Sequence, residues 1–175
     1  MLLEIYRQPL WSIVLTMLFW VGIWSVLGVA CARRRPVFWQ RFHLALLLIS
    51  LGLVFYATIL SRSQGARELI LRPFQSFREA AEQPEMYRTM LMNVFLFFPF
   101  GLSLSGIQPG KWKPWQRLLT AAACGLLLSV LVEVAQYFFC LGRAEADDVL
   151  CNTFGTALGA STVIWQALLG KIRVN

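Results

Sequence analysis

One carboxylate, Glu133, stands inside an apolar run from Leu118 to Cys140. At about 1.5 Å per residue it lies roughly 10 Å inside the carboxyl end of that run. An acid in hydrocarbon is costly and must face protein or a water-filled space. Gly125, Ser129, Glu133, Gln136 and Cys140 are spaced 4, 4, 3 and 4, so they share one helix face. The next run carries a matching stripe, Asp148, Asn152, Gly155 and Gly159. Its two glycines form a GxxxG, which lets another helix approach closely. Counted inward from the short connection, Asn152 falls level with Gln136, and Gly155 with Glu133. A glycine opposite the acid would leave room for a pocket. Asn93 lies about one turn below the same surface, Arg143 and Asp147 stand in the connection, and Arg72 joins from an earlier segment.

Two chemistries suit this set. As a binding site, Arg143 and Arg72 would pair with phosphate or carboxylate, with Asp147 beside them. Asn93, Gln136 and Asn152 would add directional hydrogen bonds. As a catalytic site, a desolvated Glu133 would act as general acid or base together with Asp148. Asp147 and Asp148 would offer oxygen ligands to a divalent cation. Plainer roles stand beside these. Ser129, Gly155 and Gly159 read as helix-packing residues, and amide bonds between helices are worth about 0.6 kcal/mol without any further purpose. Asp147 alone reads as a solvated loop acid, and Asp148 as an acid favoured at a helix start.

These residues need a membrane bundle to position them. The chain has 175 residues, 58% hydrophobic and 14% charged. That excludes a disordered chain, a coiled coil and a disulfide-stapled secreted domain, and it disfavours a water-soluble globule. The net charge of +7 belongs to topology rather than to nucleic acid, because basic residues flank membrane spans. Five spans are predicted, at about 10–31, 42–60, 89–107, 118–140 and 149–169. The fold expected is an all-α polytopic membrane bundle forming one transmembrane domain over 1–175. Pro99 and Gly101 predict a kink in the third span. Phe74, Phe77 and Ala81 recur at helical spacing after Pro73, opposite Arg78, Glu79 and Glu82, and Pro84 ends the run. That predicts a short helix on the outer interface. Arg33, Arg34, Arg35, Arg41, Lys111, Lys113, Arg117, Lys171 and Arg173 fall on one side. The positive-inside rule then places the N-terminus outside and the C-terminus in the cytoplasm of a multi-pass cell-membrane protein.

Three blocks resemble the VanZ-like family. They are Asn93-Val94-Phe95-Leu96-Phe97-Phe98-Pro99-Phe100-Gly101, then Ser129 through Gln136 with Glu133 inside, then Gly142-Arg143, Asp147-Asp148, Asn152-Thr153-Phe154-Gly155 and Gly159. Leu71-Arg72-Pro73-Phe74 is similar to a fourth family element, with Ile70 where that element has Asn. The resemblance covers about 40–165. It implies an integral membrane protein associated with lowered sensitivity to teicoplanin-type lipoglycopeptides, which act at the outer membrane face. It names no reaction, substrate or cofactor.

The remaining candidates are sparse. Cys31, Cys124, Cys140 and Cys151 form no CxxC and have no His partner, so no zinc site is expected. Cys140 and Cys151 flank one connection and could pair. His43, the single histidine, reads as an interfacial residue at the start of the second span. No cofactor is expected. The expected function is an outer-leaflet polar pocket that binds a membrane lipid, a lipid-linked cell-wall precursor or a glycopeptide antibiotic. The alternatives are an enzyme acting on a lipid-linked substrate, or a structural partner of a membrane complex with Gly155 and Gly159 as its association face. A transporter fits poorly, because no repeat is visible.

Overall fold

The computed structural model describes residues 36–172 except 66 and 84, together with residues 12, 14–15, 18–19, 21–24, 26 and 28. Most of the first predicted span, Cys31, Arg33, Arg34, Arg35, Pro84 and Arg173 therefore lie outside the described residues, as do the side chains of Ala81 and Lys171.

The architecture is a bundle of long antiparallel helices. Helix α1 runs Pro36–Phe55 and continues as a π-helical turn, Tyr56–Leu60. A strand β1, Glu68–Ile70, and a short helix α2, Gln75–Glu82, follow. Helix α3 is Glu85–Ile107 and α4 is Pro114–Phe138. Strand β2, Arg143–Glu145, leads directly into α5, Ala146–Ile172. Among the described residues, three helical stretches are long and apolar enough to cross a membrane: Val37–Leu60, Glu85–Ile107 and Pro114–Phe138. Helix α5 is as long but carries Asn152, Thr153, Thr156, Ser161 and Thr162.

That polarity goes with a central position. α5 makes its most extensive seam with α3 and a second with α4. A Cβ at Gly155 would collide with the Val94 carbonyl, and one at Gly159 with the Phe98 carbonyl. From the other side, Gly101 admits the backbone of Thr156, and Gly125 of α4 admits its side chain. Small residues on three helices thus let the backbones close up, the packing that membrane helices use when hydrophobic burial cannot drive association. Several of the hydroxyls inside are satisfied locally. Thr58 donates to Val54 O (2.7 Å), Ser103 to Pro99 O (2.6 Å) and Thr156 to Asn152 O (3.0 Å). Val54, Phe97 and Val132 meet in the core, with Leu96 and Leu128 against them.

α3 stays helical on both sides of Pro99, and Gly101 serves close approach to α5. Several expectations change here. The GxxxG of α5 faces α3, not Glu133, so it neither opens a pocket nor presents an association face to another protein. Helix α4 ends at Phe138. Cys140 lies beyond it at φ 54°, Leu141 N–H reaches back to Gln136 O (2.9 Å), and Cys140 leaves the polar stripe. This is a Schellman-type stop, with the left-handed position filled by cysteine. Cys140 and Cys151 are free thiols. His43 is fully buried within the described residues. Its ring stands edge-on to Trp24 and Trp39, with centroids 6.0 and 5.0 Å away, and Gly106 leaves it room.

The two strands are the feature that hydropathy does not announce. They pair in parallel, Glu68 with Arg143, Leu69 with Ala144 and Ile70 with Glu145. Gly65 N–H to Cys140 O (2.7 Å) extends the contact. Gly142, at φ 117°, makes the sharp reversal between α4 and β2 that a side chain would strain. Instead of looping out, the chain folds back along α4 before α5 begins.

Candidate functional site

The polar residues gather at the end of the bundle that carries β1, β2 and α2. Glu133, only 8% exposed, accepts the Glu145 N–H on Oε2 at 2.9 Å. The carboxylate therefore satisfies one backbone donor of β2. Its side chain also lines a cavity of about 560 Å³ whose other walls are almost wholly apolar. Leu69, Leu71 and Phe74 form one wall, Val130, Val134 and Phe138 a second, and Val149 and Leu150 a third. Most of these side chains are exposed, so the cavity is an open groove on the flank of the bundle.

A second, smaller cavity of about 170 Å³ lies across β2. Its lining is polar: Arg62, Ser76, Thr89, Arg143, Glu145 and Asp148, with Met86 and Met90. Glu145 belongs to both cavities. Ala144, buried between the flanking charges of β2, belongs to the groove. Alternation along a strand explains this, since neighbouring residues point to opposite faces.

Each predicted site residue can now be placed. Arg143 lines the polar cavity, but acids hold it: Glu145 at 3.1 Å, Glu68 at 3.5 Å and Glu79 at 3.7 Å. It is not a free cation waiting for an anion. Asp147, 2% exposed, is not a solvated loop acid. Its two oxygens accept the N–H groups of Phe74 (2.6 Å) and Ser76 (2.7 Å), capping α2 from across the structure. That employment also removes it from any cation site shared with Asp148. Among the described residues, no cluster of His, Cys, Asp or Glu is placed to hold a metal. Asp148 lines the polar cavity, with Asn93 of α3 beside it. Arg72 is exposed and lines neither cavity.

Gln136 and Asn152 act between helices. Gln136 Nε2 donates to Thr58 O (3.0 Å), a carbonyl in the π turn. Asn152 Nδ2 donates to Ser129 Oγ (2.8 Å). The predicted register, Asn152 level with Gln136, is therefore wrong by about two helical turns. The cause is β2. Three extended residues cover about 3.3 Å each where a helix covers 1.5 Å, so the returning chain is already deep when α5 starts. Glu133 consequently faces the strand and not the glycines.

Arg62 was missed by sequence reasoning. It stands two residues after the π turn, is half-buried in the polar cavity and interacts electrostatically with both Glu133 and Asp148. A cation immediately after a span, on the side where basic residues are not needed for topology, was its available signal. Ser76 was missed as well, and it donates to Glu145 (2.8 Å) at the cavity wall.

Helix α2 has the expected amphipathic pattern with a different use of its faces. Ser76 and Ala80 are buried against the bundle, while Phe74 and Phe77 are exposed and pack on each other at 5.9 Å. Pro73 precedes the N-cap residue, Phe74, instead of opening the helix.

Comparison with known proteins agrees with the resemblance read from the motifs. A family model described as VanZ/LLP1 matches residues 42–169. The chain is 37% identical over 73 residues to Protein VanZ of Enterococcus faecium, an alignment covering 42% of this chain and 42% of that protein. The chain thus matches less than half the length of that curated relative. No solved structure matches.

Proposed function

The chain belongs to the VanZ/LLP1 family, and from that premise we propose that it binds an amphiphile of the outer membrane leaflet. The tail would lie in the apolar groove and the head group in the adjoining polar cavity. One observation carries the reading: an exposed apolar groove of about 560 Å³, within the usual range for ligand sites, ends at a buried carboxylate and shares a strand wall with a charged cavity. A packed helix seam would leave neither space.

The orientation follows from charge. Arg41, Lys111, Lys113 and Arg117 belong to the opposite end of the bundle, which the positive-inside rule assigns to the cytoplasm. The strands and α2 then face outward, with Phe74 and Phe77 toward the lipid interface, where amphipathic helices rest. Occupancy there would change how a membrane-active lipoglycopeptide meets the outer leaflet, in keeping with the antibiotic tolerance that the family resemblance implies. A chemical step on the bound amphiphile is a second reading. Its support is Glu133, held by the Glu145 N–H and lining the groove.

The test is native mass spectrometry of the gently solubilised chain beside Val134→Trp and Glu133→Gln. Val134 is an exposed groove wall, so tryptophan fills the space without disturbing the core. A lipid adduct is expected in the unaltered chain, lost in Val134→Trp and weakened in Glu133→Gln. No adduct, or one that both variants retain equally, overturns the reading.

A further inference from the structure

We infer that the occupant is an aminated phospholipid, whose head group presents a primary ammonium beside its phosphate. This rests on the amphiphile reading and names the head-group chemistry of the same site. The starting point is a charge imbalance around β2. Among the described residues, Glu68, Glu79, Glu133, Glu145, Asp147 and Asp148 converge there, against the guanidinium groups of Arg62 and Arg143, with that of Arg67 farther along the groove, over the Tyr137 ring and bonded to Phe138 O. Asp147 is occupied with the N–H groups of α2. Arg143 is shared among Glu68, Glu79 and Glu145. Glu133 and Asp148 remain, and both feel the single positive charge of Arg62. A simple anion entering this cavity would add to an existing excess of negative charge. A ligand that brings a cation relieves it.

The form of that cation follows from the geometry. Among the described residues the acids are not gathered closely enough to wrap a metal ion. They are spread along the wall between groove and cavity. An ammonium group has three donors and no acceptor, and a carboxylate accepts, so an ammonium beside Glu133 and Asp148 would favour their ionised forms and offset the crowding of acids there. Arg62 supplies the donors that a phosphate needs. The polar cavity, about 170 Å³, is well below the usual volume of a drug-sized ligand site, roughly 300–1,000 Å³. A compact zwitterionic head group suits it better than one bearing sugars. Glu145, which lines both cavities, marks where head joins tail. The exposed apolar side chains of the groove place that tail in continuity with surrounding lipid.

The test uses the full chain in mixed micelles containing three phospholipids with identical acyl chains and phosphoethanolamine, phosphocholine or phosphoglycerol head groups. Native mass spectrometry reads which is retained. The ethanolamine lipid should exceed the glycerol lipid by about tenfold, as charge-assisted hydrogen bonds would give. The choline lipid, which lacks N–H donors, should fall well below the ethanolamine lipid. Glu133→Gln and Asp148→Asn should each bring the ethanolamine-to-glycerol ratio toward one. Arg62→Gln should lower retention of all three together. Equal retention of the three, abolished by Val134→Trp, would keep the groove and overturn the ammonium. A preference for the glycerol lipid would overturn it too. Retention of none would overturn both readings.

Discussion

Asp147→Ala should loosen α2 while leaving the bundle intact, and the size of the effect can be worked from the cap. Two backbone N–H groups, those of Phe74 and Ser76, lie 2.6 and 2.7 Å from the two carboxylate oxygens. A hydrogen bond to a charged group contributes about 1.5–3 kcal/mol. A negative charge at a helix N-terminus adds about 0.3–1 kcal/mol. Allowing for incomplete additivity and for water reaching the freed N–H groups, the loss is about 3 kcal/mol. Helix α2 has eight residues, too few to persist alone in water, so the cost should appear as local opening. At 1.4 kcal/mol per tenfold, 3 kcal/mol means an opening equilibrium raised about a hundredfold. Hydrogen exchange of the detergent-solubilised protein should then speed up by about that factor over Gln75–Glu82, with α3 and α4 unchanged. Asp147→Asn should fall between, because an amide keeps one acceptor oxygen and turns a donor toward the second N–H. Unchanged exchange over α2 in Asp147→Ala would refute the cap. If lipid retention changed while exchange did not, Asp147 would be a ligand residue after all.

Three further outcomes follow from the packing. Gly155→Ala should lower the melting temperature, since its Cβ meets the Val94 backbone and overpacking costs about 1–3 kcal/mol. Gly52→Ala, whose Cβ meets nothing within 4 Å, should be neutral or slightly stabilising under the same thermal melt; equal losses in both would refute the seam. Gln136→Leu should cost only about 0.6 kcal/mol, the usual scale of an interhelical side-chain bond in a membrane, and a melt depressed as far as that of Gly155→Ala would show that the Thr58 carbonyl matters more than geometry suggests. Reducing agent should not change the electrophoretic mobility of the protein, because Cys140 and Cys151 are free thiols, and a shift on reduction would show that they pair.

What the sequence made legible was what repeats over many residues. The long apolar helices, the buried face holding Ser129, Glu133 and Gln136, and the short helix after Pro73 all rest on periodicity. The motifs around Asn93, Glu133 and Asp148 were also sufficient to indicate the family. What escaped depends on a few residues or on distant partners. Strands of three residues, Glu68–Ile70 and Arg143–Glu145, are too short to display alternation. Missing β2 shifted the register of Asn152 and put Gly155 opposite the wrong helix. The GxxxG correctly signalled close approach without saying that Val94 and Phe98 of α3 would be its neighbours. Asp147 had no local cue to its role, since the N–H groups it caps lie more than seventy positions earlier. Arg143 looked like the free cation because its partners Glu68 and Glu79 come from another segment, and Arg62, which does face the buried acids, stood outside every motif.

The π turn at Tyr56–Leu60 has a consequence for how the site could vary. Its bond from Ser61 N–H to Tyr56 O, 2.8 Å long, spans five residues instead of four, so the turn accommodates one extra residue. Deleting a residue there would restore ordinary helical winding and leave the faces beyond Leu60 in place, because the widened turn takes up the extra residue. Rewinding the same residues as ordinary α-helix, with none deleted, would instead swing everything beyond Leu60 by about 100°. Arg62 would then leave the polar cavity although no residue lining either cavity had been replaced. The position of the cation thus depends on the widened turn and not on a residue choice alone.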